Sequence, residues 1–224
     1  MTTDNTTLSI RLLPGGFSFS GKTYDVASGA DYDKRLIEAL LDAGIAEVEP
    51  NGPVVCLVDT NRISLSPASI EADLAEEMFH LTHQPAEGEE ILLRQTDDTL
   101  GISLLFGISS QVYHFLLRTY QEVEFLHPLF LEHLEWNRKL QQETPEGNCM
   151  VAFADDRHLG FLIYRDGKLQ TLNSVESTSE GNLIYFLLNA WSQNHLDFLA
   201  DTLYLQTDSE HFRETVSTYI KKCV

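Results

Sequence analysis

The sequence predicts an α/β fold of two tandem units with a cleft between them. Its strongest sign is a strand pattern that occurs twice. Leu8–Ser20 reads LSIRLLPGGFSFS, two apolar runs around a Pro-Gly-Gly turn. Cys149–Ser174 reads CMVAFADDRHLGFLIYRDGKLQTLNS, three runs joined by an Asp-Asp turn and an Asp-Gly turn. After each, the pattern continues as amphipathic helix, short apolar strand and helix.

The elements follow in chain order. Leu8–Leu13 and Phe17–Ser20 predict a hairpin, and Lys22–Val26 a third strand. Asp31 caps a helix to about Ala43, with Leu36, Ile37, Leu40 and Leu41 on one face and Gly44 ending it. Val54–Val58 is wholly apolar, as suits a central strand covered on both faces. Arg62–Leu65 extends that strand or pairs nearby. Ser66-Pro67 reads as a helix start, with Pro at the first position and Glu71 in the first turn, running to about Leu81. Gln84–Glu90 is an acidic loop. Ile91–Gln95 and Gly101–Phe106 form a hairpin across Asp97-Asp98. Ser109 or Ser110 caps a helix to Tyr120, Val123–Leu126 is a strand, and Pro128 opens a helix to about Gln142. The polar stretch Gln141–Asn148, with Pro145 and Gly147, sets a domain boundary and predicts units 1–143 and 144–224. Beyond the second strand set come a helix from Ser179 to His195, the strand Thr202–Gln206, and a helix from the cap Asp208 to Lys222.

The chain has 224 residues and a formal charge of −19 at pH 7. Such a surface repels phosphate backbones and anionic membranes. Lys34-Arg35, Arg138-Lys139 and Lys221-Lys222 are isolated basic pairs on expected helices, so no nucleic-acid partner is expected. Cys56, Cys149 and Cys223 are odd in number and lack CxxC spacing, which suits reduced thiols. MTTDNTTLSI has neither a basic region nor an apolar stretch, and no run is long enough to span a bilayer. A cytoplasmic protein without membrane insertion is expected.

Gly16–Thr23, GFSFSGKT, satisfies the P-loop pattern G-x-x-x-x-G-K-[ST], and Val54–Asp59 is an apolar strand ending in an acid. On pattern alone, Lys22, Thr23 and Asp59 would serve a nucleoside triphosphatase. The alternation Phe17-Ser18-Phe19-Ser20 is strand periodicity, however, and Tyr24–Gly29 is a poor helix start. For metals, Glu76, His80 and His83 form one candidate group, and His127, His133 and Glu135 another. Neither supplies a recognisable three- or four-ligand set, so no metal site is expected. No G-x-S-x-G occurs.

LSIRLLPGGFSFS, the passage Asn61-Arg62-Ile63-Ser64-Leu65-Ser66-Pro67 and Phe125-Leu126-His127-Pro128 resemble an uncharacterised bacterial family of unknown function. That family has an actin-like ATPase fold and is a distant cousin of the actin-like cytoplasmic domains of pilus-assembly and type II secretion proteins. The resemblance implies two tandem RNase H-like (actin-like ATPase) domains, with mixed sheets flanked by helices. It also implies a nucleotide cleft whose phosphate loops are the first hairpin turns. Here those loops are Pro14-Gly15-Gly16, without an acid, and Asp155-Asp156-Arg157-His158, without glycine or hydroxyl residue. Magnesium needs the acid, and close phosphate approach needs the small residues. The expectation is a non-catalytic interaction or assembly module with a degenerate cleft and a protein partner or further copies of itself. If ATP with magnesium binds, Gly15, Gly16, Ser18 and Asp155 line its site. The alternative is a P-loop-type or actin-like nucleoside triphosphatase.

Overall fold

Three sheets form the scaffold of the protein, seen in a computed structural model that describes residues 8–50, 52–84, 86, 88–142 and 147–224. The 143/144 boundary and the segment 1–7 lie outside the described residues.

The first sheet holds β1 (Ser9–Leu13), β2 (Gly16–Phe19), β3 (Lys22–Asp25), β4 (Val54–Val58) and a later strand, Val123–Leu126, in the order β3-β2-β1-β4 and then that strand. β1, β2 and β3 are antiparallel, while β1–β4 and the outermost pair are parallel. Ile10 and Leu12 are buried, as period-2 alternation requires, and β4 is buried at Val54, Cys56 and Val58. Helix α1 (Tyr32–Asp42) buries Leu36 and Leu40, and Gly44 takes the left-handed conformation at φ 79° after its C-cap. Asp31 occupies the N-cap position, but its carboxylate makes no capping bond.

Between β4 and the last strand of this sheet the chain builds a separate three-stranded sheet. β5 (Ile63–Pro67), β6 (Glu90–Asp97) and β7 (Ile102–Ser109) lie in the order β5-β7-β6, with α2 (Ala72–Thr82) against them. Ser66-Pro67 therefore ends a strand and does not start the helix. Pro67 sits on an edge strand, where its missing N–H breaks no ladder. The helix begins five residues later, at Ala72. Next come α3 (Ser110–Thr119), β8 (Val123–Leu126) and α4 (Pro128–Gln142). Ser109 holds the N-cap position of α3, yet its hydroxyl donates to Asp33 of α1 at 2.6 Å.

The remaining sheet holds β9 (Cys149–Ala154), β10 (His158–Arg165), β11 (Lys168–Glu176), β12 (Thr202–Thr207) and β13 (Lys222–Cys223), in the order β11-β10-β9-β12-β13. This order matches that of the first sheet, with the same antiparallel hairpins and parallel inner pair. α5 (Glu180–Gln193) and α6 (Glu210–Ser217) cover one face. Two ends differ from expectation. Ser209, not Asp208, caps α6, accepting from the Phe212 N–H. The helix stops at Ser217, and Lys222 pairs with Thr202 in β13.

Alternate residues of β9 face two different cores. Met150, Ala152 and Ala154 pack with Leu187, Trp191 and Phe212. Cys149 and Val151, with Leu162 and Tyr164 of β10, join the large cluster that includes the first sheet, α3 and α4. One continuous apolar cluster thus ties the first sheet to the inner face of the second.

Candidate functional site

The two hairpin turns face one cleft. It has a volume of about 1460 Å³ and is lined by Gly15, Gly16, Asp155, Asp156 and Arg157 from those turns, and by Arg11, Asp59, His158, Glu176 and Asp208. A neighbouring lobe of about 480 Å³ adds Pro128, Leu129 and Glu132 from the start of α4. Arg11 stands near the carboxyl end of β1, and Asp59 just beyond that of β4. Asp155 and Asp208 follow the ends of β9 and β12. Ligand crevices of open α/β sheets lie at the carboxyl ends of strands, as this one does.

Asp59 is the electrostatic centre of the cleft. It is 7% exposed, and its backbone N–H donates to Leu12 O at 2.9 Å, which pins it to the parallel β1–β4 ladder. Arg11 donates to the Asp59 Oδ2 atom through Nη2 at 2.5 Å and Nε at 3.2 Å. Arg11 reaches it because Ile10 and Leu12 turn inward and leave position 11 facing the opposite side of β1. From the other sheet, His158 Nε2 lies 3.8 Å from Asp59 Oδ1 and shares a 2.6 Å hydrogen bond with the Ser174 hydroxyl. Glu176, exposed at the end of β11, stands next to this group. Partial desolvation raises its carboxyl above the usual range, nearby His158 opposes that rise, and Asp59 adds to it.

Behind Asp59 lies His127, fully buried. Its Nδ1 accepts from the Leu129 N–H at 3.2 Å, so Nε2 carries the proton and donates to Thr60 O at 3.0 Å. Burial lowers its pKa to about 4; the Thr60 bond and the Asp59 charge oppose that, while His158 and Arg11 reinforce it. His127 is therefore a neutral pillar between β4 and α4. A second buried histidine, His133 of α4, pairs Nδ1 with the Tyr164 hydroxyl at 2.9 Å, and its Nε2 lies 3.4 Å from Asp97 Oδ2. Burial lowers its pKa also, against the pull of Asp97. Asp97, His133 and Tyr164 connect the small sheet, α4 and β10.

Of the residues expected to line a nucleotide site, Gly15, Gly16 and Asp155 border the cleft. Ser18 is mid-strand in β2, opposite Arg11 and Thr23, and is not in its wall. The P-loop pattern is a β-hairpin. Ser20 and Gly21 form its turn with φ 50° and 74°, and Lys22 and Thr23 open β3, exposed and paired with Phe19 and Ser18. No helix follows to aim its amides at a phosphate, so the geometry of that motif is missing here. Asp59, the acid of the same pattern, stands in the cleft instead, more than a strand away from Lys22 in the sheet order.

At a nucleotide, magnesium is held by one or two carboxylates together with water and the phosphates. The Asp59 Oδ2 is covered by the Arg11 fork, and Asp155 Oδ1 accepts from the Arg157 and His158 N–H groups of its own turn at 2.9 and 2.8 Å. One oxygen of each of these two carboxylates is thus engaged by the protein itself. Among the described residues, no group of three or more His, Cys, Asp or Glu side chains could hold a metal ion. Glu76 and His80 are a 3.6 Å pair on α2, whereas His83 bonds to Ile63 O. Burial raises the pKa of Cys56, and that of Cys149 to about 12, so both remain thiols. No described helix is long and apolar enough to cross a membrane.

His158 entered the sequence reading as the last residue of the Asp155–His158 loop, whereas Arg11, Ser174, Glu176 and His127 were not singled out as cleft residues. Of these four, Arg11 left a trace, as a cation inside the apolar run LSIRLL just before the turn.

A crystal structure from Bacteroides thetaiotaomicron VPI-5482, of a protein with actin-like ATPase fold and unknown function, is similar to this chain. The match covers 97% of this chain and 89% of that one, with a TM-score of 0.80 and 23% identity. The PilM–PilN type IV pilus biogenesis complex is similar over 97% of this chain and 87% of that one, with a TM-score of 0.52 and 10% identity. At such identities the likeness speaks for the fold, an actin-like α/β architecture. Among curated proteins none matches. Residues 1–223 match the family described as "Protein of unknown function (DUF3822)", and the chain belongs to that family.

Proposed function

We propose that this chain is a cytoplasmic, non-catalytic interaction or assembly module, built from two tandem RNase H-like units, 1–143 and 144–224. Its cleft holds its two halves together and does not turn over nucleotide. The repeated strand order of the two five-stranded sheets supports the duplication. The observation that carries the functional reading is the Arg11 fork on Asp59: the acid best placed for a metal is neutralised by the protein's own cation. Its partners are proteins or further copies of itself, in keeping with the solved pilus biogenesis complex of similar fold.

Calorimetry with ATP and magnesium, joined to a phosphate-release assay, tests it. The expected result is no magnesium-dependent turnover, unchanged in Lys22→Ala. Steady phosphate release that is lost in Asp59→Asn would overturn the reading. Nucleotide bound without turnover would engage the backbone of Gly15 and Gly16 and the Asp155 turn.

A further inference from the structure

Helix α2 presents an apolar stripe to solvent. Leu74, Met78 and Leu81 lie at i, i+4 and i+7 and are 50%, 40% and 86% exposed. Leu81 is the most exposed large apolar side chain among the described residues. The helix does not depend on this stripe for its own packing. Its other face seats Ala75 and Phe79 on Leu105, with Ile70 and Leu92 beside them, and Arg62 lies over the Phe79 ring at 5.6 Å.

The charge around the stripe is acidic apart from His80, which lies 3.6 Å from Glu76. Glu71, Asp73, Glu76 and Glu77 are all exposed on or beside α2. Glu77 is three residues after Leu74 and four before Leu81, so it stands on the stripe's flank. No Lys or Arg occurs between Arg62 and Arg94. Both of those cations are engaged: Arg62 with the Glu90 carboxylate and Gln84 O, Arg94 with the carbonyls of Pro67, Ala68 and Ile70.

The geometry points to α2 as the docking face for a cationic amphipathic segment of a partner protein, whose apolar side chains cover Leu74, Met78 and Leu81 while its Lys or Arg residues meet Asp73 and Glu77. Charge selects this occupant. A second copy would bring the same acids to a self-complementary contact, from a chain of charge −19. An anionic bilayer meets the same repulsion. An apolar helix face rimmed by acids is the complement of a basic amphipathic helix. The inference rests on the reading of the chain as an interaction module and specifies one of its surfaces.

The test uses the full chain and a fluorescent helical peptide with Leu at i, i+3 and i+4 spacing and Lys elsewhere, followed by anisotropy. Hydrogen exchange maps the footprint. Binding is expected with protection over α2. The double variant L74S/L81S, whose changes are at exposed positions, is expected to weaken it at least about tenfold. D73K/E77K is expected to do the same without touching an apolar residue, with circular dichroism unchanged in both. Three results would overturn the proposal: binding within about twofold of wild type in L74S/L81S, equal binding of the peptide with Glu in place of Lys, or self-association in sedimentation that L74S/L81S abolishes. The interaction-module reading fails separately, through nucleotide turnover, which neither variant affects.

Discussion

Replacing His127 by Asn removes a buried titratable group and leaves a side chain able to accept from the Leu129 N–H. Folded His127 has a pKa lowered to about 4, mainly by burial, against an unfolded value of 6.5. The unfolded chain therefore binds a proton that the folded chain refuses between these values. Stability from this residue is fully present above pH 6.5, falls as pH drops through that window, and levels off below about 4. Between pH 7.5 and 5 the loss comes to about 2 kcal/mol for this site alone. The same substitution costs about 2–3 kcal/mol at pH 7.5, from the lost bond to Thr60 O and the lost edge contact with Phe106. Urea unfolding of both proteins at the two pH values isolates the effect, because every other titrating group is common to them. The gap between wild type and His127→Asn should nearly close at pH 5. If His127→Asn loses as much stability on acidification as the wild type does, His127 is not the titrating group and its neutral assignment is wrong.

Tyr164→Phe removes the hydroxyl partner of His133 Nδ1 inside a closed core, and should cost about 1–2 kcal/mol in chemical denaturation. Gly16→Ala places a Cβ 1.9 Å from Tyr24 O at φ 154°, so it should abolish stable folding, whereas Gly15→Ala, with nothing within 4 Å, should leave the melting temperature close to that of wild type. Lys22→Ala changes an exposed strand residue and should shift stability by less than about 0.5 kcal/mol, measured by urea unfolding. Arg11→Met leaves the buried Asp59 carboxylate without its cation and should cost about 1–2 kcal/mol at neutral pH, a figure reduced because Arg11 is itself half-exposed; an unchanged unfolding midpoint would mean the fork contributes nothing.

The local parts of the fold were legible because each rests on neighbours in sequence. Period-2 runs and glycine turns marked the hairpins, and Pro128 marked the start of α4 to the residue. Of the small third sheet, the β6–β7 hairpin was legible, but the pairing that adds β5 to it was not. Its β5 pairs with β7 through partners such as Ile63 and Phe106, and no local pattern encodes a contact that distant. Ser66-Pro67 misled for a related reason: proline suits both a helix start and an edge strand, and only the pairing decides. The cleft's position followed from the two hairpin turns. Its chemistry did not, since the bond from Arg11 to Asp59 joins residues far apart in sequence. Nor did the lapse of the P-loop pattern need the structure: Phe17 and Phe19 alternate with serines, as a strand does.

The face shared by the two sheets has a consequence for how the chain is made. Val151, Leu162 and Tyr164 are buried in the same cluster as α4 and the first sheet. During synthesis, residues 8–142 emerge before β9 and β10 exist, so the apolar surfaces of Leu129, Phe130 and Trp136 wait uncovered for their counterpart. These surfaces are covered only once β9–β12 have been made, and a chain released before that point is prone to aggregate. Nascent-chain length, rather than either half's own sequence, then sets the moment at which this protein becomes safe from self-association.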